Sequence, residues 1–148
     1  MNGDGIDDIV GGAANANKNG TAPPAGEVYI VFGSNALASV EPVDVTLFGP
    51  PSGLSSGGAF GWALATSDVS GDGLTDLCVG APSADGAAGS GSQAGEMHGY
   101  LGRTSWPADV SASSFSVRGT IANGRAGRKL AVGDFTGDGL ADIVVAAP

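Results

Sequence analysis

Apolar residues in this chain fall in short runs set apart by polar turns, and no segment holds a helical period over ten residues or more. In the middle of the chain, four such runs follow one another at 59–66, 76–80, 95–102 and about 114–119. The turns between them are rich in Gly, Ser and Pro. This pattern predicts four β-strands joined by tight connections.

The pattern repeats. Asn2-Gly3-Asp4-Gly5-Ile6-Asp7-Asp8-Ile9-Val10 aligns without gaps to Ser70-Gly71-Asp72-Gly73-Leu74-Thr75-Asp76-Leu77-Cys78 and to Thr136-Gly137-Asp138-Gly139-Leu140-Ala141-Asp142-Ile143-Val144. The interval is 68 residues from Asp4 to Asp72 and 66 from Asp72 to Asp138. Gly26-Glu27-Val28-Tyr29 returns as Gly95-Glu96-Met97-His98. Phe60-Gly61-Trp62-Ala63-Leu64-Ala65 returns more weakly as Ala126-Gly127-Arg128-Lys129-Leu130-Ala131. A fixed period of this kind marks a repeat architecture, and four strands per unit is the make-up of a propeller blade. The expected fold is all-β, with blades of four antiparallel strands: one complete blade at 59–123 flanked by partial blades at 1–58 and 124–148. Propellers close with about four to eight blades, so the chain is expected to be part of a longer one or to assemble with copies of itself.

Composition agrees with folding rather than disorder. Hydrophobic residues reach 42% and charged residues only 14%, while 27 glycines and 8 prolines supply the turns. The formal net charge of −9 argues against nucleic acid as a partner, since there is little basic surface to neutralise phosphates. No apolar run is long enough to cross a bilayer, so membrane insertion is not expected. Nor does the N-terminus carry the basic start and apolar stretch of a secretion signal. Cys78 is the single cysteine, which rules out an intrachain disulfide, and its place in Leu77-Cys78-Val79 predicts a small buried hydrophobe.

Charge distribution says more than charge total. Nine of the fifteen acids (Asp4, Asp7, Asp8, Asp68, Asp72, Asp76, Asp134, Asp138 and Asp142) lie in three short segments, and the six basic residues lie elsewhere. Carboxylates packed that closely repel one another unless a cation sits among them. The shared loop reads Asp-x-(Asn/Ser/Thr)-Gly-Asp-Gly-x-x-Asp. Oxygen-bearing side chains at positions 1, 3 and 5 of a tight loop can converge, glycine at 6 allows a sharp turn, and position 7 can offer its carbonyl. Calcium takes six to eight such oxygens, whereas magnesium demands a stricter octahedron. A helix–loop–helix site would close with Glu at position 12, but Val79 and Val145 stand there; the last carboxylate comes at position 9 and a β-run follows. These loops therefore join strands. Asp-Gly pairs as plain hairpin turns would account for one copy, not for four oxygen-bearing side chains at identical offsets in two.

The same residues resemble the FG-GAP repeat, the blade unit of the integrin α-subunit propeller: Phe60-Gly61 and Gly80-Ala81-Pro82 bracket the acidic loop as in that family. The resemblance implies a propeller found outside the cell or at its surface, with Ca2+ loops on one face. The implied ligands are Asp68, Ser70, Asp72 and Asp76 with the Leu74 carbonyl, and Asp134, Thr136, Asp138 and Asp142 with the Leu140 carbonyl. In the first copy they are Asn2, Asp4, Asp8 and the Ile6 carbonyl; with one ligand position missing, that loop should bind weakly alone. Two departures, Ala126 for the aromatic and Gly11-Gly12-Ala13-Ala14 for Gly-Ala-Pro, touch no ligand. The function implied is a non-catalytic calcium-binding module that supports binding of a protein ligand or of further blades. The alternative is an accessory propeller of a larger secreted hydrolase or phospholipase, and a purely structural spacer is a third reading.

Weaker signals have plain readings. Gly53-Leu54-Ser55-Ser56-Gly57 fits the serine-hydrolase elbow but lacks the strand and helix that motif requires. His98 reads as a surface or hydrogen-bonded strand residue rather than half of a catalytic dyad. Asn19-Gly20-Thr21 is a glycosylation sequon. Arg125, Arg128 and Lys129 read as solvated charge, and Trp62 and Trp106 as packing residues.

Overall fold

The middle blade begins where Gly and Asp give way to Val, Leu and Ala. In the computed structural model, which describes residues 1–17, 25–34, 43–49, 58–87 and 92–148, it comprises β4 (Ala63–Ser67), β5 (Asp76–Ala81), β6 (Glu96–Tyr100) and β8 (Phe115–Arg118). The four are antiparallel and hydrogen-bonded in the order β4-β5-β6-β8. Every residue of β5 and β6 is buried, and β5 accordingly reads as an unbroken apolar run after Asp76, whereas β6 buries Glu96 and His98 among its residues. β8, at the edge, carries Ser116 and Arg118 outward and is largely exposed. A charged, polar edge of this kind resists pairing with stray strands.

A second four-stranded sheet holds β1 (Ile9–Ala13), β2 (Glu27–Val31) and β3 (Val45–Phe48). Here alternation is clean: Val28 and Ile30 of β2 and Val45 and Leu47 of β3 are fully buried, with the intervening residues partly exposed. Its fourth strand was not expected. β7 (Asp109–Val110), from the connection between β6 and β8, pairs in parallel with β3, with Thr46 opposite Asp109 and Leu47 opposite Val110. The middle unit thus caps the outer edge of its neighbour. A third sheet pairs β9 (Lys129–Gly133) with β10 (Asp142–Ala146), and β9 lies along β4. No helix occurs among the described residues, and the sheets are partial propeller blades. The sequon at Asn19 and the Gly53–Gly57 motif lie outside the described residues.

One apolar cluster joins the first two sheets, from Val28, Ile30, Val45 and Leu47 on one side to Phe60, Leu77, Val79 and Tyr100 on the other. Phe60 is fully buried and meets the rings of His98 and Tyr100 edge-on, at 5.8 and 6.1 Å. Cys78 is buried as expected, and burial pushes its thiol up to about 11, leaving it a packing group.

Glycines make the seam between units. The glycine after Phe60 or Ala126 sits at positive φ, +90° at Gly61 and +85° at Gly127, and donates its N–H to a carbonyl of the Gly-Ala-Pro segment (Gly61 to Gly80, 3.1 Å) or its counterpart (Gly127 to Ala146, 3.1 Å). The neighbouring amides also correspond: Phe60 N–H donates to Ala25 at 3.0 Å, and Ala126 N–H to Ala94 at 2.9 Å. A seam built from backbone keeps its form whether the side chain is Phe or Ala.

Candidate metal centre

The second and third acidic loops each join two paired strands, as expected from the β-run that follows them: β4 to β5 through 68–75 and β9 to β10 through 134–141; the first leads into β1. Gly71 and Gly73, like Gly3, Gly5, Gly137 and Gly139, sit at positive φ between +76° and +88°, the conformation the tight turn demands. Around that turn the backbone amides point inward at carboxylates. Asp68 Oδ1 accepts from Gly71 at 2.7 Å and Asp72 at 3.2 Å, and its Oδ2 accepts from Gly73 at 2.8 Å. Asp134 repeats this with Gly137 (2.6 Å), Asp138 (3.2 Å) and Gly139 (2.9 Å). Asp72 accepts from Leu74 at 2.8 Å, Asp138 from Leu140 at 2.9 Å and Asp4 from Ile6 at 2.9 Å.

These bonds favour the ionised acids. The Gly73 amide above all holds Asp68 below the usual carboxylate range, the Gly139 amide does the same for Asp134, and the Ile6 amide for Asp4. The residue at position 9 is different in kind. Asp76 is only 1% exposed, and its Oδ2 accepts from Val69 (3.0 Å) and Ser70 (2.9 Å) at the start of the loop. Its Oδ1 reaches across to the Gly102 amide, 2.7 Å away beyond β6. Asp8 is bonded likewise to Asn2 (3.4 Å) and Gly33 (3.0 Å) and lies 3.4 Å from the Met1 ammonium. Asp142 binds Phe135 at 2.8 Å and Thr136 at 2.9 Å.

Gly33 and Gly102 were missed from sequence. A Cβ on Gly33 would meet the Asp7 carbonyl at 2.2 Å, and one on Gly102 the Thr75 carbonyl at 2.7 Å, so only glycine brings its amide this close. The signal was present: both follow an apolar residue at matching offsets, in Phe32-Gly33 and Leu101-Gly102.

Neighbouring loops also touch. The position-7 side chain of one loop reaches the position-4 glycine of the loop before it. Leu74 Cδ2 would be 2.6 Å from a Cβ on Gly3, and Leu140 Cδ2 3.0 Å from one on Gly71. The loops therefore form a row on one face. Between the first two lies a cleft of about 610 Å3, lined in part by Asp7, Asp8, Asp68, Thr66 and Thr75.

Among the described residues, no group of three or more carboxylate, imidazole or thiol side chains converges to hold a metal; the aspartates are turned onto loop amides instead. The donor chemistry of the loop nonetheless fits a hard cation. A carboxylate offers about four lone-pair sites. Asp72 uses one in the bond to Leu74, and Asp76 uses three in its bonds to Val69, Ser70 and Gly102. Acceptor capacity on ionised oxygens is therefore left over, which is what calcium recruits.

His98 is only 4% exposed, not a surface residue. Its Nε2 lies 3.0 Å from Glu96 Oε2 outside hydrogen-bond geometry, its Nδ1 is 3.4 Å from Ser113 Oγ, and its ring packs on Phe60. His98 holds the Glu96 carboxyl below its ordinary 4.5, with help from Arg118 at 3.8 Å. A depressed carboxyl stabilises the fold fully above its unfolded value, and that contribution is lost as pH falls through the lowered folded value. Glu96→Gln is therefore expected to flatten the acid limb of the stability–pH curve below about pH 4.5, read as urea midpoints across pH 3–6. An acid limb identical to that of the parent would count against the Glu96 pairing.

Trp106 is a packing residue as expected: it lies against the core, its Nε1 donates to the Met1 carbonyl at 3.4 Å, and Arg103 stacks 4.8 Å from its ring. Trp62 is not; it stands 55% exposed.

Comparison with known proteins agrees with the repeat geometry. Residues 60–95 and 126–148 match the FG-GAP repeat, so this chain carries FG-GAP repeats. Over 149 residues the chain is 34% identical to a phosphatidylinositol-glycan-specific phospholipase D from Mus musculus, and over 161 residues 26% identical to one from Dictyostelium discoideum. It is 33% identical over 151 residues to integrin alpha-V from Gallus gallus. Each alignment takes in the whole of this chain but only 13–17% of the relative's length. This is an FG-GAP propeller module related to both.

Proposed function

We propose that this FG-GAP module is non-catalytic and binds calcium in its loops, stiffening one face of a propeller that supports protein binding outside the cell or at its surface. One observation carries the reading: the oxygen-rich loop recurs between strands, in a row, with its first carboxylate held ionised by loop amides. The ligands would be Asp68, Ser70, Asp72, Asp76 and the Leu74 carbonyl in the second loop, and Asp134, Thr136, Asp138, Asp142 and the Leu140 carbonyl in the third. In the first they would be Asn2, Asp4, Asp8 and the Ile6 carbonyl. Calcium would draw the spare carboxylate oxygens together and relieve repulsion between them. Extracellular calcium modules have dissociation constants of about 10⁻⁴–10⁻³ M, so these sites would fill where calcium is abundant. Ile9 of β1 and Val144 of β10 are each about half exposed, and further blades of the propeller would cover them.

Calcium at ten times its dissociation constant stabilises by about 1.4 kcal/mol per site. A melting temperature raised by several degrees in millimolar calcium, and restored by chelator, is the expected result; an unchanged one would overturn the calcium reading. Asp72→Asn separates metal from fold, because Asp72 is exposed and takes only the Leu74 amide. It should shrink the calcium-induced shift while leaving the melting temperature in chelator nearly unchanged.

A second reading has an observation of its own, since two of the relatives are phospholipases D by name. In that case the module is the accessory propeller of a larger hydrolase. Deleting it from the parent chain would then lower hydrolysis of membrane-presented substrate, an effect that an adhesion module would not produce.

A further inference from the structure

A second site lies at the other end of the strands. Trp62, just before β4, and Pro82, just after β5, are at the end of that hairpin away from the acidic loop, and Arg125 and Arg128 precede β9 in the same sense. With Ser83 and Gln93 they line a pocket of about 280 Å3.

Three features distinguish it from ordinary surface. The chain has fifteen acidic residues against six basic ones, yet neither Arg125 nor Arg128 has a carboxylate partner among the described residues. The Arg125 guanidinium instead donates to the Gln93 amide oxygen at 3.3 Å. Second, Trp62 leaves 55% of its surface in water although its backbone is pinned by bonds to Ala59 and Gly80. An aromatic left uncovered on a backbone fixed in this way offers a flat apolar face to a ligand. Third, of the four non-glycine residues at positive φ among those described, Gln93 (56°) and Arg125 (50°) line the pocket. Ala59 (52°) accepts the Trp62 amide beside it. Strained backbone of this kind gathers at ligand sites. The frame is stiff as well: Arg125 N–H donates to the Gln93 carbonyl and Arg128 N–H to the Arg125 carbonyl, both at 3.1 Å.

We propose that this pocket binds a carboxylate-bearing sugar residue of a glycan. The guanidiniums match a carboxylate in fork geometry, and the Gln93 amide and Ser83 hydroxyl supply donors and acceptors for ring hydroxyls. The indole offers a flat apolar face to the C–H side of a pyranose. At about 280 Å3 the space suits one or two rings, at the small end of ligand pockets. The site is independent of the metal loops, and calcium binding there can fail without affecting it.

The test is titration of the 148-residue chain in calcium buffer with a glucuronate-terminated disaccharide, followed by tryptophan fluorescence and calorimetry. Saturable binding is expected, at least tenfold tighter than for the glucose-terminated analogue and weakened by added salt. Trp62→Ala and Arg128→Ala should each weaken it at least tenfold with melting temperatures unchanged, since both side chains are exposed. Equal binding of the neutral analogue, or full affinity in a folded Trp62→Ala, would overturn the proposal. So would binding of a glutamate-rich peptide in place of the disaccharide.

Discussion

Replacing Phe60 with alanine is expected to destabilise the fold by about 3–5 kcal/mol, the usual cost of emptying a large buried aromatic site. Phe60 has no exposed surface and stands in the cluster that joins the first two sheets. Its ring meets His98 and Tyr100 of β6, and its Cβ lies against Gly49, which follows β3, so the void would open between sheets rather than within one. Neither sheet can collapse into it freely, because the seam on either side is fixed by Phe60 N–H to Ala25 and Gly61 N–H to Gly80. Small domains hold about 5–15 kcal/mol in all, so the loss is a large share. Phe60→Leu, which keeps most of the volume, should cost less than about 1.5 kcal/mol. Urea unfolding of the three proteins reads the order directly. A Phe60→Ala cost below 1 kcal/mol would mean that the two sheets do not share this core. Ala126 at the matching place gives no license to expect tolerance, since it is buried against a different unit.

The middle blade was legible in sequence because its signals are local. Strand positions follow from runs of Val, Leu and Ala between glycine-rich turns, and the loop follows from residues within nine positions of one another. What was not legible depends on contacts across the chain. β7 is two residues, Asp109 and Val110, with no strand signal of its own; it exists because the outer edge of β3 offers unpaired groups to a segment over sixty positions away. Gly33 and Gly102 matter only once Asp8 and Asp76 reach them. For His98 a surface position and a hydrogen-bonded strand position were both open, because β6 reads as an ordinary half-polar strand; its burial comes from Glu96 beside it and Phe60 above it. Trp62 looked like core for the opposite reason: Gly61 at φ +90° turns the chain so that the indole leaves the seam.

Two adjacent glycines on one strand give the sharpest expected contrast. A methyl group on Gly12 would lie 2.1 Å from the Gly61 carbonyl oxygen, whereas one on Gly11 would meet nothing within 4 Å. The obstacle at Gly12 is backbone, so no side-chain rotation relieves it, and the two units must move apart. Gly12→Ala should therefore cost about 3 kcal/mol, the upper part of the range for overpacking. Gly11→Ala should be neutral or stabilise by up to about 1 kcal/mol, because alanine has less freedom to lose on folding. The same close approach recurs one unit on, where a Cβ on Gly80 would stand 1.9 Å from the Gly127 carbonyl, so Gly80→Ala should resemble Gly12→Ala. Equal urea midpoints for the Gly11 and Gly12 variants would mean that the units do not meet through their backbones. A large loss in both Gly12→Ala and Gly80→Ala would make the interval between units, rather than the side chains filling it, the quantity that glycine sets. It would also explain why the third unit can carry Ala126 where the second has Phe60: the glycine after each is what the seam requires.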